Sequence, residues 1–127
     1  MRNEDLIKTF VKKTLRCNCP DEVFNLIECQ SNISLSHLIL GRKINIGNRL
    51  LVYIFEVKDE ESLNHVLPFL IESGKAERDE LGFNRFRLVL ATESKSSVRE
   101  VAQNIFNNIN QDEKIHLHII SKKEISF

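Results

Sequence analysis

The sequence predicts an α/β domain: a mixed five-stranded sheet with elements in the order α-β-β-β-α-β-α-β, an antiparallel meander followed by right-handed parallel crossovers. Three observations predict it. Apolar residues recur at helical spacing in three separate stretches. Gly47-Asn48 sits between two alternating apolar runs, as a hairpin turn does. Beyond that hairpin the pattern becomes strand-helix-strand-helix-strand, which implies parallel pairing through crossovers.

Leu6, Ile7, Phe10, Val11, Thr14 and Leu15 mark residues 3–16 as an amphipathic helix. Asn18 and Pro20 are expected to end it, Asn by accepting the left-handed conformation and Pro by being unable to continue. Val23 to Cys29 reads as the first strand and residues 31–34 as a loop. A two-residue type II′ turn at Gly47-Asn48 pairs Leu38 with Val57, Leu40 with Phe55, Arg42 with Tyr53 and Ile44 with Leu51. Asp59 caps a second helix with the stripe Leu63, Val66, Leu67, Leu70 and Ile71; Pro68 kinks or restarts it, and Gly82 ends it. Phe86 to Ala91 is a strand. Ser94 or Ser97 caps a third helix, the latter with capping-box spacing to Glu100, and Lys114 to Ser121 is the last strand. The first helix covers the free sheet face or an edge; if it leaves that face open, a second subunit is needed there, which is the case for a homodimer.

Composition bounds the function classes. The 127 residues suit a single domain spanning 1–127, and 42% apolar with 28% charged content is that of a globular protein. Eighteen basic and eighteen acidic residues cancel, which argues against nucleic acid as a partner. Lys8, Lys12, Lys13 and Arg16 share the first helix and read as its solvated face. The longest apolar run, Leu50 to Phe55, is too short to cross a membrane. Residues Met1 to Asp5 lead into an amphipathic pattern rather than a signal-peptide core, so the expectation is a cytoplasmic protein with reduced thiols unless they bind metal or do redox work.

Four clusters carry chemistry. Cys17-Asn18-Cys19-Pro20 places two thiols one residue apart, and His116-x-His118 puts two imidazoles on one side of the last strand. If the two pairs share a sheet edge, Cys17, Cys19, His116 and His118 form a Cys2His2 zinc site. The bland reading makes the histidines polar positions on an exposed sheet face. Thiol redox chemistry at Cys17 and Cys19 is disfavoured by the helix C-terminus, whose dipole opposes a thiolate. Cys29 reads as a small buried hydrophobe.

Ser94, Lys95, Ser96 and Ser97 follow the fourth strand, where open α/β sheets gather ligands at strand carboxyl ends and a helix start offers free N–H groups. They suit a phosphorylated or carboxylated small molecule, either in a binding module or in a small enzyme, against which stand ordinary capping and the charge of Glu93. Arg78, Arg85 and Arg87 lie in a charged segment that grips an acidic protein partner or pairs internally. The leading expectation is a binding or interaction module without catalytic machinery of its own, with the enzyme and then the thiol redox protein as alternatives.

Overall fold

The computed structural model describes residues 3–110 and 112–127; Met1 and Arg2, which begin the amino-terminal pattern, lie outside the described residues. Its one sheet has the order β1-β2-β3-β4-β5, with β1 (Ile27–Leu35), β2 (Leu38–Ile46) and β3 (Leu50–Glu56) antiparallel, and β4 (Arg85–Thr92) and β5 (Ile115–Ser121) added in parallel. The expected mixed sheet is therefore present. The helices α2 (Leu63–Leu81) and α3 (Lys95–Ile109) pack on one face over Leu51, Tyr53, Phe86, Leu88 and Leu90.

The first helix covers the other face. Its α-helical part, α1 (Asn3–Thr9), widens into a π-helical turn at Phe10–Thr14. Ile7, Phe10, Val11 and Leu15 are buried against Ile44, Val52, Ile54 and Val89. The premise for a second subunit, an open sheet face, is thereby removed.

Three local readings need correction. The helix ends at Thr14 with Leu15 as its cap, short of residue 16, and Arg16 takes the left-handed conformation (φ 54°), while the Cys17 N–H donates to the Val11 carbonyl. The left-handed residue after the helix is therefore Arg16, two positions before Asn18, where it was expected. Val23 and Phe24 belong to a 3-10 turn, Asp21–Asn25, and not to the first strand. Both side chains are buried in the same layer, which a strand's alternation forbids for neighbours and a turn allows. Lys8 and Lys12 sit over the Phe24 ring at 5.5 and 5.4 Å and pair with Asp21, so part of the basic helix face is tied to this turn. The strand starts at Ile27 and runs through the supposed loop at 31–34.

The β2–β3 register is one residue away from the expected one: Ile44 faces Val52, and Ile46 faces Leu50. Gly47 and Asn48 both have positive φ (60° and 57°), the signature of a type I′ turn. Arg49 is an extra residue before pairing resumes, because its carbonyl accepts the Asn84 and Arg85 N–H groups that lead into β4. A side chain at Gly47 would have its Cβ 2.4 Å from the Val23 carbonyl oxygen, so the turn and the 3-10 segment fix each other's position. The slip brings Ile44, expected to share a face with Leu51, onto the α1 face with Leu50, Val52 and Ile54, while Leu51 and Tyr53 lie under α2.

Helix α2 passes through Pro68 without interruption and ends at Gly82 in the left-handed conformation (φ 78°). Asp59 caps the turn before it by accepting the Ser62 N–H at 2.8 Å. Ser94 precedes α3 without a side-chain cap, and Ser97 lies inside the helix, so no capping box with Glu100 forms. Among the described residues no helix is long and apolar enough to cross a membrane.

Candidate functional site

The parallel strands β3, β4 and β5 begin level with one another. Leu50 pairs with Arg85, and Phe86 with Ile115, so the residues just before and at the strand starts form one row. Arg49, Asn84, Arg85 and Lys114 lie along it. The chain leaving the first helix, Cys17 to Pro20, crosses above this row. A pocket of about 580 Å³ opens between them, with Arg49, Arg85, Arg87, Lys114 and His116 on its polar side and Pro20, Val23, Ile46 and Leu50 among its apolar lining.

Its charge is one-sided. Four cationic side chains line the pocket and no carboxylate does. Arg49, Arg85, Arg87 and Lys114 also make no salt bridge among the described residues. Arg49, Arg85 and Lys114 are exposed and Arg87 is half-buried. Alternation on β4 puts Arg85 and Arg87 on the α1 face, as the sequence implies. Arg87 Nη1 donates to the Leu15 carbonyl at 3.0 Å and meets His118 Nε2 at 2.9 Å, while its buried Nε has no partner. Burial, followed by the neighbouring Arg85, lowers the Arg87 pKa. The pocket wall therefore holds positive charge with no carboxylate in it, while Arg85 and Lys114 also border a neighbouring cleft with Glu72, Asp112 and Glu113.

His116 and His118 share the α1 face with Arg87 and are not on an exposed sheet surface. Burial lowers the pKa of His116, and Arg87 and Arg85 add to the effect. His118 is held down to about 4 by burial, then by Arg87 and His116. Both rings are neutral near pH 7. Neutral His118 accepts from Arg87 through Nε2, which fixes its remaining proton on Nδ1.

The four proposed zinc ligands are not assembled. Cys17 and Cys19 pair with each other as a disulfide, with 5.3 Å between their Cα atoms. His118 Nε2 is engaged by a guanidinium, so a cation stands where a metal would have to bind. Among the described residues no group of three or more His, Cys, Asp or Glu side chains is placed to hold a metal ion. Of the four residues, Cys17, Cys19 and His116 line the same pocket and His118 is not among its lining. Cys29 is free and half-buried on the same face, and burial raises its thiol pKa.

Of the remaining candidates, Ser94, Lys95, Ser96 and Ser97 are exposed at the start of α3. Ser94 borders a cleft with Lys58, Asp59, Glu60 and Glu61, so acidic groups crowd the place expected to take an anion. Arg78 is only 6% exposed and paired with Asp112 at 2.6 Å and Asp79 at 2.9 Å. It is a buried cation committed to internal ion pairs, and Arg85 and Arg87 make no such pair among the described residues.

The sequence reading missed Arg49, Asn84 and Lys114. Each flanks a strand start, and the parallel order of β3, β4 and β5 with its register would have brought them together. No family model matches the chain, and no curated protein or solved structure gives a significant match.

Proposed function

We propose that this chain is a binding module for a small anionic molecule, held in the pocket at the amino ends of β3, β4 and β5. The observation that carries the reading is a half-apolar pocket with four cationic side chains and no carboxylate. Clustered like charges in a partly desolvated cleft repel one another, and an anion relieves that repulsion. Arg87 is held by Leu15 and His118 and provides a fixed guanidinium, while Arg49, Arg85 and Lys114 are free to close on a ligand. The apolar floor favours a molecule that carries carboxylate or phosphate groups on an organic body.

This reading replaces the loop at Ser94–Ser97 with a site at the opposite end of the strands. It also ranks above a zinc site at Cys17, Cys19, His116 and His118, because four neighbouring cations oppose a divalent metal ion. Enzyme chemistry ranks lower because the one base that the described residues place in the pocket wall, His116, is disfavoured from taking up a proton by burial and by Arg87 and Arg85.

Isothermal titration with inorganic pyrophosphate at low salt tests the reading. Saturable binding to the wild type is expected, weakened roughly tenfold or more when Arg49→Ala and Arg85→Ala are combined. Both side chains are exposed, so the double variant should retain its melting temperature. Equal binding by the two proteins, or no saturable binding of pyrophosphate or citrate, would refute the site.

A further inference from the structure

We propose that Cys17 and Cys19 are a redox couple that exchanges with small acidic thiols and disulfides drawn into the basic pocket. This rests on the reading of that pocket as an anion site and adds a reaction and a substrate class to it.

The placement carries the argument. The disulfide lies in the wall of the pocket, and both cysteines are half-exposed. Their loop is held at each end: the Cys17 N–H bonds to Val11, and the Pro20 carbonyl accepts the Val23 N–H as the 3-10 turn begins. The sulfurs therefore stay at the pocket while a ligand enters. Cys29, on β1, is outside the pocket lining, and burial disfavours its thiolate, so the chemistry is confined to the pair.

Thiol–disulfide exchange runs through thiolates, as attacking group and as leaving group. Cationic surroundings favour both. The helix end beside Cys17 works against a thiolate, with a partial charge of about half an electron. Four full positive charges line the same pocket and outweigh it. They also concentrate any thiol that carries carboxylate or sulfonate groups.

The step balances with the thiol as reductant. One substrate thiolate attacks a sulfur of the Cys17–Cys19 bond, forming a mixed disulfide and releasing the other cysteine as a thiolate. A second substrate thiolate attacks the substrate sulfur of that mixed disulfide. A substrate disulfide leaves, and the second cysteine is released as a thiolate. Two electrons pass from two thiols to the protein, and the released thiolates take protons from solvent. The reverse sequence reduces an acidic disulfide.

The test compares three small thiols on the full, oxidised chain at low salt: anionic 2-mercaptoethanesulfonate, neutral 2-mercaptoethanol and cationic cysteamine. Alkylation followed by peptide mass spectrometry reads the opening of Cys17–Cys19. Per thiolate present, the sulfonate is expected to react roughly tenfold faster than cysteamine. Pyrophosphate should slow it, and the combined Arg49→Ala and Arg85→Ala substitutions should remove most of the preference. Lys114→Ala is a second route to the same loss if the double variant folds poorly. Equal rates for the three thiols, or a preference that these variants retain, would overturn the proposal. Pyrophosphate binding without charge preference defeats the redox couple alone. Absence of pyrophosphate binding together with absence of preference defeats the anion site as well.

Discussion

Acid should destabilise this protein through His118 before it reaches most of the carboxylates. Folded, the imidazole titrates at about 4, against 6.5 for an ordinary histidine, because it is buried and faces Arg87 and His116. Unfolded, it takes a proton as pH falls through 6.5. Between those values the unfolded chain binds the proton and the folded chain does not, so stability present above pH 6.5 is lost toward pH 4. Each unit of difference is worth about 1.4 kcal/mol, and the loss reaches about 2.5 kcal/mol between about pH 7.5 and pH 4.5. The structural cause is specific. Protonation would turn the Nε2 acceptor into a donor, facing the Arg87 guanidinium at 2.9 Å. Urea unfolding of the wild type and His118→Gln at both pH values measures the effect. Gln has no titrating group, and its amide oxygen can accept from Arg87. The pH-dependent loss should therefore be smaller by about 2 kcal/mol in His118→Gln. An equal loss in both proteins, or a His118 NMR titration midpoint near 6.5, would refute the reasoning.

Two further perturbations probe the scaffold. Gly74→Ala should destabilise although it improves helix propensity by about 1 kcal/mol, because the new Cβ would lie 2.1 Å from carbons of the fully buried Phe86 ring. A net loss of about 2 kcal/mol in urea unfolding is expected; unchanged stability would mean that ring or helix yields freely. Asp112→Ala leaves the buried Arg78 with Asp79 alone and should cost about 3 kcal/mol by the same measurement. Arg78 holds Asp112 below the usual carboxylate range, so its stabilisation is present above the unfolded carboxylate pKa and is lost as pH falls through the lower folded value.

Topology was legible in the sequence because it depends on long patterns. The α2 stripe from Leu63 to Ile71 and the parallel run around β4 and β5 each repeat a periodic signal over many residues. The β2–β3 register was not legible, because it depends on one residue. Arg49 has its backbone carbonyl committed to Asn84 and Arg85, partners 35 and 36 positions away, and no local turn rule contains that demand. The first strand was misread for a related reason. Val23 and Phe24 look like strand residues, but the layer under α1 needed both side chains, and a 3-10 turn supplies both at once. In β1 the inner alternation also breaks at Asn32, which has a positive φ of 53°. Ile27 and Cys29 pack on the α1 face, whereas Ile33 and Leu35 pack under α2. This brings the hairpin tip over α2, where His37 stacks on Phe69 at 5.2 Å.

The candidate site was legible in its parts and not in its charge. The eighteen acids and eighteen bases cancel in the count, yet the pocket wall at the amino ends of the parallel strands carries four cations and no carboxylate. Glu56 ends β3, Asp59, Glu60 and Glu61 follow it, and Glu93 follows β4, all at the carboxyl end of the parallel strands. The amino end carries Arg49, Arg85 and Lys114, with Arg87 one step inside. The rule that ligands gather at strand carboxyl ends relies on helix amino termini to attract anions, at about half a charge each. Here both crossover helices do begin at that end, but their starts face mixed charge, with Asp59, Glu60, Glu61 and Glu93 among Lys58, Lys95 and Lys122. At the amino end four full positive charges share one pocket wall without a carboxylate, while Glu72, Asp112 and Glu113 lie in the neighbouring cleft. Within this pocket wall, side-chain charge therefore reverses the polarity that the backbone alone would set, and it does so where the Cys17–Cys19 loop lies across the strands.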